Sequence, residues 1–324
     1  MSISAAAGRL RGPRPPRDDD LEALNILFSD AFTDRYRRDG LTGVRVPKLN
    51  PQIWRYAIQD AGGGEMLWFD TRDELVAFNI AHHSGAEGWM GPLAVRPDRQ
   101  FGGVGKVIVG TALEWLRAEG VSTIGLETMP RTVENIGFYG KIGFIPHHLT
   151  VTMTTDPHRK DVSGSPVCLG DLTDTDRNAA MERCRERLNQ SAPGYDFTRE
   201  FALSHELEIG DTVILERDGA VRGFALWHSA PLTGDGPSDE LRLLKLFADS
   251  AETFERLVGV TEQCAVDLGI PRVAIRCQSA YSNAYRALIR LGYSVRWTDL
   301  RMTLQGFSEA PLAKGEILFS NWEI

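Results

Sequence analysis

Residues 93–106 read Leu93-Ala94-Val95-Arg96-Pro97-Asp98-Arg99-Gln100-Phe101-Gly102-Gly103-Val104-Gly105-Lys106. The apolar run Trp89 to Val95 leads into this stretch through Pro97, glycines fill positions 102, 103 and 105, and Val104, Val107, Ile108, Ala112, Trp115 and Leu116 then recur at helical spacing. The pattern predicts a strand, a glycine corner and a helix. Such a corner aims several backbone N–H groups and a helix N-terminus at one point, which suits a pyrophosphate, and side chains in place of the glycines would keep phosphate oxygens away from the amides. On spacing alone, a tight turn without a ligand is the competing reading. No Lys-Ser pair follows the glycines, which opposes a nucleotide-hydrolysing loop, and the antiparallel-looking lead-in opposes a dinucleotide-binding first unit.

Upstream of the corner, Glu65 to Phe69 and Leu75 to Ala81 read as two strands of a hairpin closed by Asp70-Thr71-Arg72-Asp73. Before them, Asp18 to Asp20 can cap a helix carrying Leu21, Leu24, Ile26, Leu27 and Phe32. Downstream, Gly120 ends the helix, Val121 to Glu127 reads as a strand, and Thr132 opens a shorter helix that stops at Gly143 before Phe144. Sliding the chain by 149 residues superposes Gly120 on Gly269, Ile124 on Val273, and Ile142-Gly143-Phe144 on Leu291-Gly292-Tyr293. The second half reads as a diverged copy, with Asp174 to Leu188 as its opening helix, Leu241 to Phe247 as the strand before the corner, and Phe254, Leu257, Val258, Cys264, Ala265 and Leu268 on the helix after it.

A chain of 324 residues with 42% hydrophobic content is long enough for two domains with sizeable cores. The expected division is a flexible arm over 1–13, a first domain over 14–156, a polar linker over 157–164, a second domain over 165–306 and a C-terminal tail over 307–324. No apolar run approaches the length of a membrane-spanning helix and the N-terminus lacks a secretory core, so the expected setting is cytoplasmic, without a membrane. Net charge is −8 and basic residues are dispersed beyond position 17, which argues against a nucleic-acid partner. Cys168, Cys184, Cys264 and Cys277 show no C-x-x-C spacing; they are expected to be reduced thiols, and no metal is expected.

Leu93-Ala94-Val95-x-Pro97-x-x-Gln100-x-x-Gly103-x-Gly105, followed by Asn135-Ile136-Gly137-Phe138-Tyr139-Gly140-Lys141-Ile142-Gly143-Phe144, resembles the two signature segments of the GNAT acetyltransferase superfamily, in the family's order and on its elements. The resemblance covers residues 14–156 by motif and 165–306 by topology. It implies an α/β fold of two tandem GNAT-like domains, each a mixed, mostly antiparallel sheet with flanking helices, using acetyl-CoA as cosubstrate. Carried over by position, Leu93, Ala94 and Val95 would pair with the pantetheine arm. Amides of Gln100, Phe101, Gly102, Gly103, Val104, Gly105 and Lys106 would hold the pyrophosphate, and Asn135 and Phe138 would line the thioester. Tyr139 takes the family's general-acid position, returning a proton to the departing thiolate; the alternative is a tyrosine simply packed on the sheet. Where the family often has Asn, seven residues before that tyrosine, this chain has Thr132.

For the general base the choice stays open. Trp89 to Val95 contains no carboxylate; Glu127 is the best placed, and His82 and His83 are alternatives. The 149-residue offset puts Arg276 opposite Glu127. In the second half it sets Asp249, Glu252 and Phe254 against Gln100, Gly103 and Gly105, and Leu288 against Tyr139, so this half is expected to bind no coenzyme and to wall the acceptor pocket. The expected activity is acetyl transfer from acetyl-CoA to a small-molecule primary amine by direct attack in a ternary complex. The protein would be a monomer acting as a pseudo-dimer, or a homodimer. A coenzyme-binding regulatory module without turnover and a protein or peptide N-acetyltransferase are the alternatives.

Overall fold

The computed structural model describes residues 10–159, 166–234 and 236–322. Of the expected arm, residues 1–9 lie outside that description, as do residues 160–164 of the expected linker. Arg11–Arg14 form an edge strand, β1, and Asp18–Asp20 a 3-10 turn. In the first half follow α1 (Leu21–Arg38), α2 (Pro51–Ala61), β2 (Glu65–Phe69), β3 (Leu75–Ser84), β4 (Glu87–Val95), α3 (Val104–Ala118), β5 (Thr123–Thr128), α4 (Val133–Ile142) and β6 (Phe144–Thr155). The second half repeats the order: β7 (Val167–Cys168), α5 (Asp174–Ser191), α6 (Thr198–Glu206), β8 (Gly210–Arg217), β9 (Ala220–His228), β10 (Leu241–Ala248), α7 (Ala251–Asp267), β11 (Val273–Gln278), α8 (Ser282–Arg290) and β12 (Ser294–Leu304), then β13 (Ile317–Ser320). Helix α2 falls in a stretch to which the sequence reading assigns no element, although Ile53, Trp54, Ala57 and Ala61 recur there at helical spacing. A cap adds a second local signal, since the Asn50 side chain accepts the Gln52 N–H ahead of a proline at the first turn.

All strands join one mixed sheet, β1-β2-β3-β4-β5-β12-β6-β11-β10-β9-β8-β7, with β13 on β10. Among the described residues only β4–β5 and β10–β11 are parallel. The two halves exchange their last strands: β12 lies against β5 of the first half, and β6 against β11 of the second. Thr150 sits directly opposite Asp299 where β6 meets β12, at the same offset that relates the copies. A pseudo-twofold axis therefore passes between these strands.

Side chains alternate between the faces: Met66 and Trp68 join the core under α3 and α4, whereas Leu67 and Phe69 join the core under α1 and α2. The sheet curls. Between β4 and β10 lie β5, β12, β6 and β11, five steps that would span roughly 24 Å if flat, yet Lys245 Nζ on β10 is 3.6 Å from Glu87 Oε2 on β4. The concave face carries α1, α2, α5 and α6, and α2 packs on α6 across the seam. Along it runs a buried polar row that includes Glu87, Lys245, Glu200, Glu127, Asp299 and Arg301.

Candidate active site

Strands β4 and β5 pair from Glu87–Thr123 to Met90–Leu126 and then part. Beyond Met90, β4 stays with β3, placing Leu93, Ala94 and Val95 opposite Asn79, Phe78 and Ala77. Arg96 N–H bonds the Val76 carbonyl at 2.8 Å on the β3 side, so by the antiparallel alternation Ala94 also faces β3 and the backbone groups of Leu93 and Val95 face the slot. Of the three residues expected along the coenzyme arm, Leu93 thus offers both backbone groups to the free edge, Val95 its N–H, and Ala94 neither. The Val95 carbonyl accepts from Gln100 Nε2 at 3.0 Å, and Gln100 Oε1 accepts from Arg38 at 3.0 Å, which clips the loop to the end of β4 and to α1.

The loop turns with Phe101 at φ 62° and Gly103 at φ 88°, the second a conformation suited to glycine, and α3 starts at Val104. Gln100 N–H returns to Pro97 O and Lys106 N–H to Gly103 O. Among the described residues the amides of Phe101 to Gly105 between them have no backbone partner. They open at the head of a 15-residue helix, whose dipole adds positive potential. A Cβ on Gly105 would stand 3.3 Å from Phe138 Cζ, so glycine there lets α4 close against the loop. These features fit a pyrophosphate, with exposed Lys106 beside it.

Tyr139 on α4 is buried between Phe138 and Phe144, ring centroids 5.2 and 5.9 Å away, in the core that holds Leu126. Its hydroxyl has no hydrogen-bond partner among the described residues, and burial raises its pKa well above the ordinary phenol value, keeping it protonated. Asn135, half-buried on the same helix, leaves its carboxamide unbonded among the described residues, while its backbone N–H caps onto Thr132 O. Thr132 does not serve the slot: its hydroxyl donates to Asp39 Oδ2 at 2.6 Å, and with Arg35, bonded to both Asp39 and Glu134, it ties the end of α1 to the start of α4.

Glu127 lies on the opposite face of β5. Its side chain is wholly buried and bonds Arg276 at 2.5 Å, Arg301 at 2.7 Å and the Thr150 hydroxyl at 2.5 Å. Burial would raise its pKa, but the Arg276 and Arg301 guanidiniums outweigh that and hold the carboxyl below its usual range. Arg276 also approaches Asp299 at 3.1 Å. The two positions that the repeat makes equivalent, 127 and 276, thus carry opposite charges and pair across the pseudo-twofold axis.

His82 is not the surface residue a strand-end histidine suggests. It is fully buried and stacked 3.9 Å from Trp89, with Nδ1 2.7 Å from Asp60 Oδ2 and Nε2 3.2 Å from the Gly91 carbonyl, so both ring nitrogens already face partners within the protein. His83 packs on Trp115 of α3 and faces Gly85 O. Residues that sequence reasoning missed are Asp60, Arg301 and Trp322; each acts through partners remote in the chain, and no local pattern marks them.

The second half has no equivalent loop. Strand β10 ends at Ala248, and after Asp249 the Ser250 hydroxyl caps α7 by accepting the Thr253 N–H at 3.2 Å. Glu252 and Phe254 fall inside that helix, with Phe254 fully buried. Cys184 and Cys277 are buried and Cys168 and Cys264 half-buried, all as free thiols. Among the described residues no helix is long and apolar enough to cross a membrane, and no group of three His, Cys, Asp or Glu side chains is placed to hold a metal.

Residues 26–144 match the Acetyltransferase (GNAT) family. The whole chain has the fold of tandem GNAT proteins. It aligns with a putative acetyltransferase from Pyrococcus horikoshii at 18% identity and a TM-score of 0.67, over 96% of this chain and 93% of that one. It aligns with a tandem GNAT protein from the clavulanic acid biosynthesis pathway at 14% identity and 0.58, over 94% and 100%. Saccharomyces cerevisiae N-myristoyltransferase, solved with bound myristoyl-CoA, aligns at 10% and 0.61, over 93% and 83%. No curated protein sequence matches the chain. The family match over residues 26–144 is what supports acyl-CoA-dependent N-acetyl transfer in general.

Proposed function

We propose that the protein transfers an acetyl group from acetyl-CoA to a small primary amine by direct attack, using one coenzyme site, in the first half. The observation that carries this reading is the row of amides from Phe101 to Gly105, without backbone partners at the head of α3, opening onto the slot where β4 and β5 part. Acetyl-CoA supplies the thioester. The chain's own groups do the rest. Leu93 and Val95 present a strand edge to the coenzyme arm, Lys106 adds charge at the phosphates, and Phe138 and Asn135 line the α4 side. Tyr139, protonated throughout the working pH range, gives its proton to the leaving sulfur. Glu127 lies on the acceptor face of β5. Held by two guanidiniums, it is a weak proton acceptor, so in this reading it positions Arg276 and Arg301, the amine arrives as the neutral base, and the proton its nitrogen sheds as the amide forms replaces, through water, the one Tyr139 gave to the sulfur. The second half lacks the loop and contributes Arg276, Asp299 and Arg301 to the acceptor face.

Calorimetric titration of the full chain with acetyl-CoA, beside a Gly103→Glu, Gly105→Phe double variant, tests the site. One site per chain, lost in the variant, is expected. Two sites would overturn the single-site reading, and none would remove coenzyme chemistry altogether.

A further inference from the structure

In the second half the chain itself fills the place that corresponds to the slot. Strands β10 and β11 pair in parallel only over Leu241–Leu243, and from Lys245 to Ala248 β10 is paired antiparallel by β13, Ser320 opposite Lys245 and Ile317 opposite Ala248. Asn321 N–H bonds Leu244 O at 2.9 Å, and the chain then enters the concave face and places Trp322 on the first half. The indole, 1% exposed, occupies the space a side chain at Gly125 would need: an added Cβ there would sit inside its van der Waals shell. Its Nε1 donates to Glu87 Oε1 at 2.9 Å, the Arg301 guanidinium lies 3.2 Å from a ring centroid, and the Trp322 carbonyl is 3.5 Å from where a Cβ on Gly91 would stand. Gly125 belongs to β5, and Glu87 and Gly91 to β4, the two strands that part after Met90 and Leu126. The ring therefore spans the closed end of the slot on the face opposite Tyr139.

Resting on the reaction proposed above, we propose that Trp322, delivered by β13, is the wall that limits the bulk of the acceptor amine, so that the substrate is compact at its nitrogen end. Tryptophan suits this place because its two partners, Glu87 and Arg301, fix the ring on both its edge and its face, and a fixed ring excludes by shape. Glycine at 125 is the complementary choice, since any side chain there would displace the ring.

The test uses coenzyme A thioethers that end in CH2-CO-NH-R, with R either methyl or phenylethyl, titrated calorimetrically into the full chain. Wild type is expected to bind the methyl compound at least about tenfold more tightly than the phenylethyl compound, the discrimination a shaped apolar wall gives. Trp322→Leu should shrink that ratio about tenfold while leaving acetyl-CoA affinity within about twofold. Trp322→Phe, which keeps a ring but loses the bond to Glu87, should move the ratio by about threefold and serves if the leucine variant does not fold. A wild-type ratio near one, or a ratio unchanged in whichever variant still binds acetyl-CoA, overturns the assignment of Trp322. Failure of wild type to bind acetyl-CoA at all would instead overturn the reaction it rests on.

Discussion

Glu127 shows how one residue's surroundings decide its chemistry. A carboxylate at a strand end near a slot reads as a base, but two guanidiniums at 2.5 and 2.7 Å make it a poor one. If the amine arrives deprotonated, the acidic limb of kcat/KM should follow the pKa of the acceptor when amines of different basicity are compared. A limb fixed below the ordinary carboxylate range for every amine would restore Glu127 as the base. The same pairing makes a stability prediction. A carboxyl whose folded pKa is depressed contributes stability that is fully present above its unfolded value and is lost as pH falls through the folded one. Glu127→Gln should therefore cost about 3–5 kcal/mol near pH 7, the usual effect of breaking a buried pair, and the gap to wild type should narrow below about pH 4, the ordinary carboxyl range, in urea melts at several pH values. Tyr139→Phe is expected to lower kcat by about 100-fold with acetyl-CoA affinity unchanged, and because burial raises the phenol's pKa, wild type should show no alkaline loss from this group in a pH–rate profile.

At the scale of elements, the glycine corner is legible because its causes are local. Gly103 needs φ 88°, Gly105 admits Phe138, and the helix after them follows apolar spacing. Helix α2 is legible too, since Ile53, Trp54, Ala57 and Ala61 recur at helical spacing behind the Asn50 cap; what no local pattern marks is that Asp60 on it is buried to hold His82. Strand β13 is hidden: it is a short run in the expected tail and has meaning only beside the free edge of β10. Ending the chain at Glu316 would leave Lys245 to Ala248 paired with β9 alone, their other edge open, and Lys245 without Ser320, its hydrogen-bond partner at 2.8 Å. The truncated protein should unfold at clearly lower urea and self-associate through the exposed edge, as sedimentation would register; an unchanged midpoint and a monomeric profile would argue that β13 is dispensable.

For the whole molecule, exchange of β6 and β12 means that neither half completes its own sheet. The seam is further held by buried charge: the Ser84 hydroxyl donates to Glu200, and Lys245 lies 3.6 Å from both Glu87 and Glu200. Burial first, then the nearby Asp60, raises the Glu200 carboxyl to about 7 against the pull of Lys245 and Arg199. A raised carboxyl is held protonated by the folded state where the unfolded chain has lost its proton, so stability falls as pH rises from about 4.5 toward 7. Glu200→Gln should therefore gain stability relative to wild type as pH goes from 5 to 8, by at most about 3 kcal/mol. A difference that stays constant over that range would show that the seam does not shift this group.

The sequence alone determined the strand–corner–helix unit, the second copy at a constant offset, and the loss of the loop from that copy, because each depends on neighbours within one or two turns of chain. It also put Glu127 and Arg276 at equivalent positions. Only the tertiary structure decided that these two meet, that the halves trade strands, and that Trp322 closes one half from the other. Those outcomes depend on sheet curl and on contacts between residues from opposite halves of the chain, and neither leaves a periodic mark in the sequence.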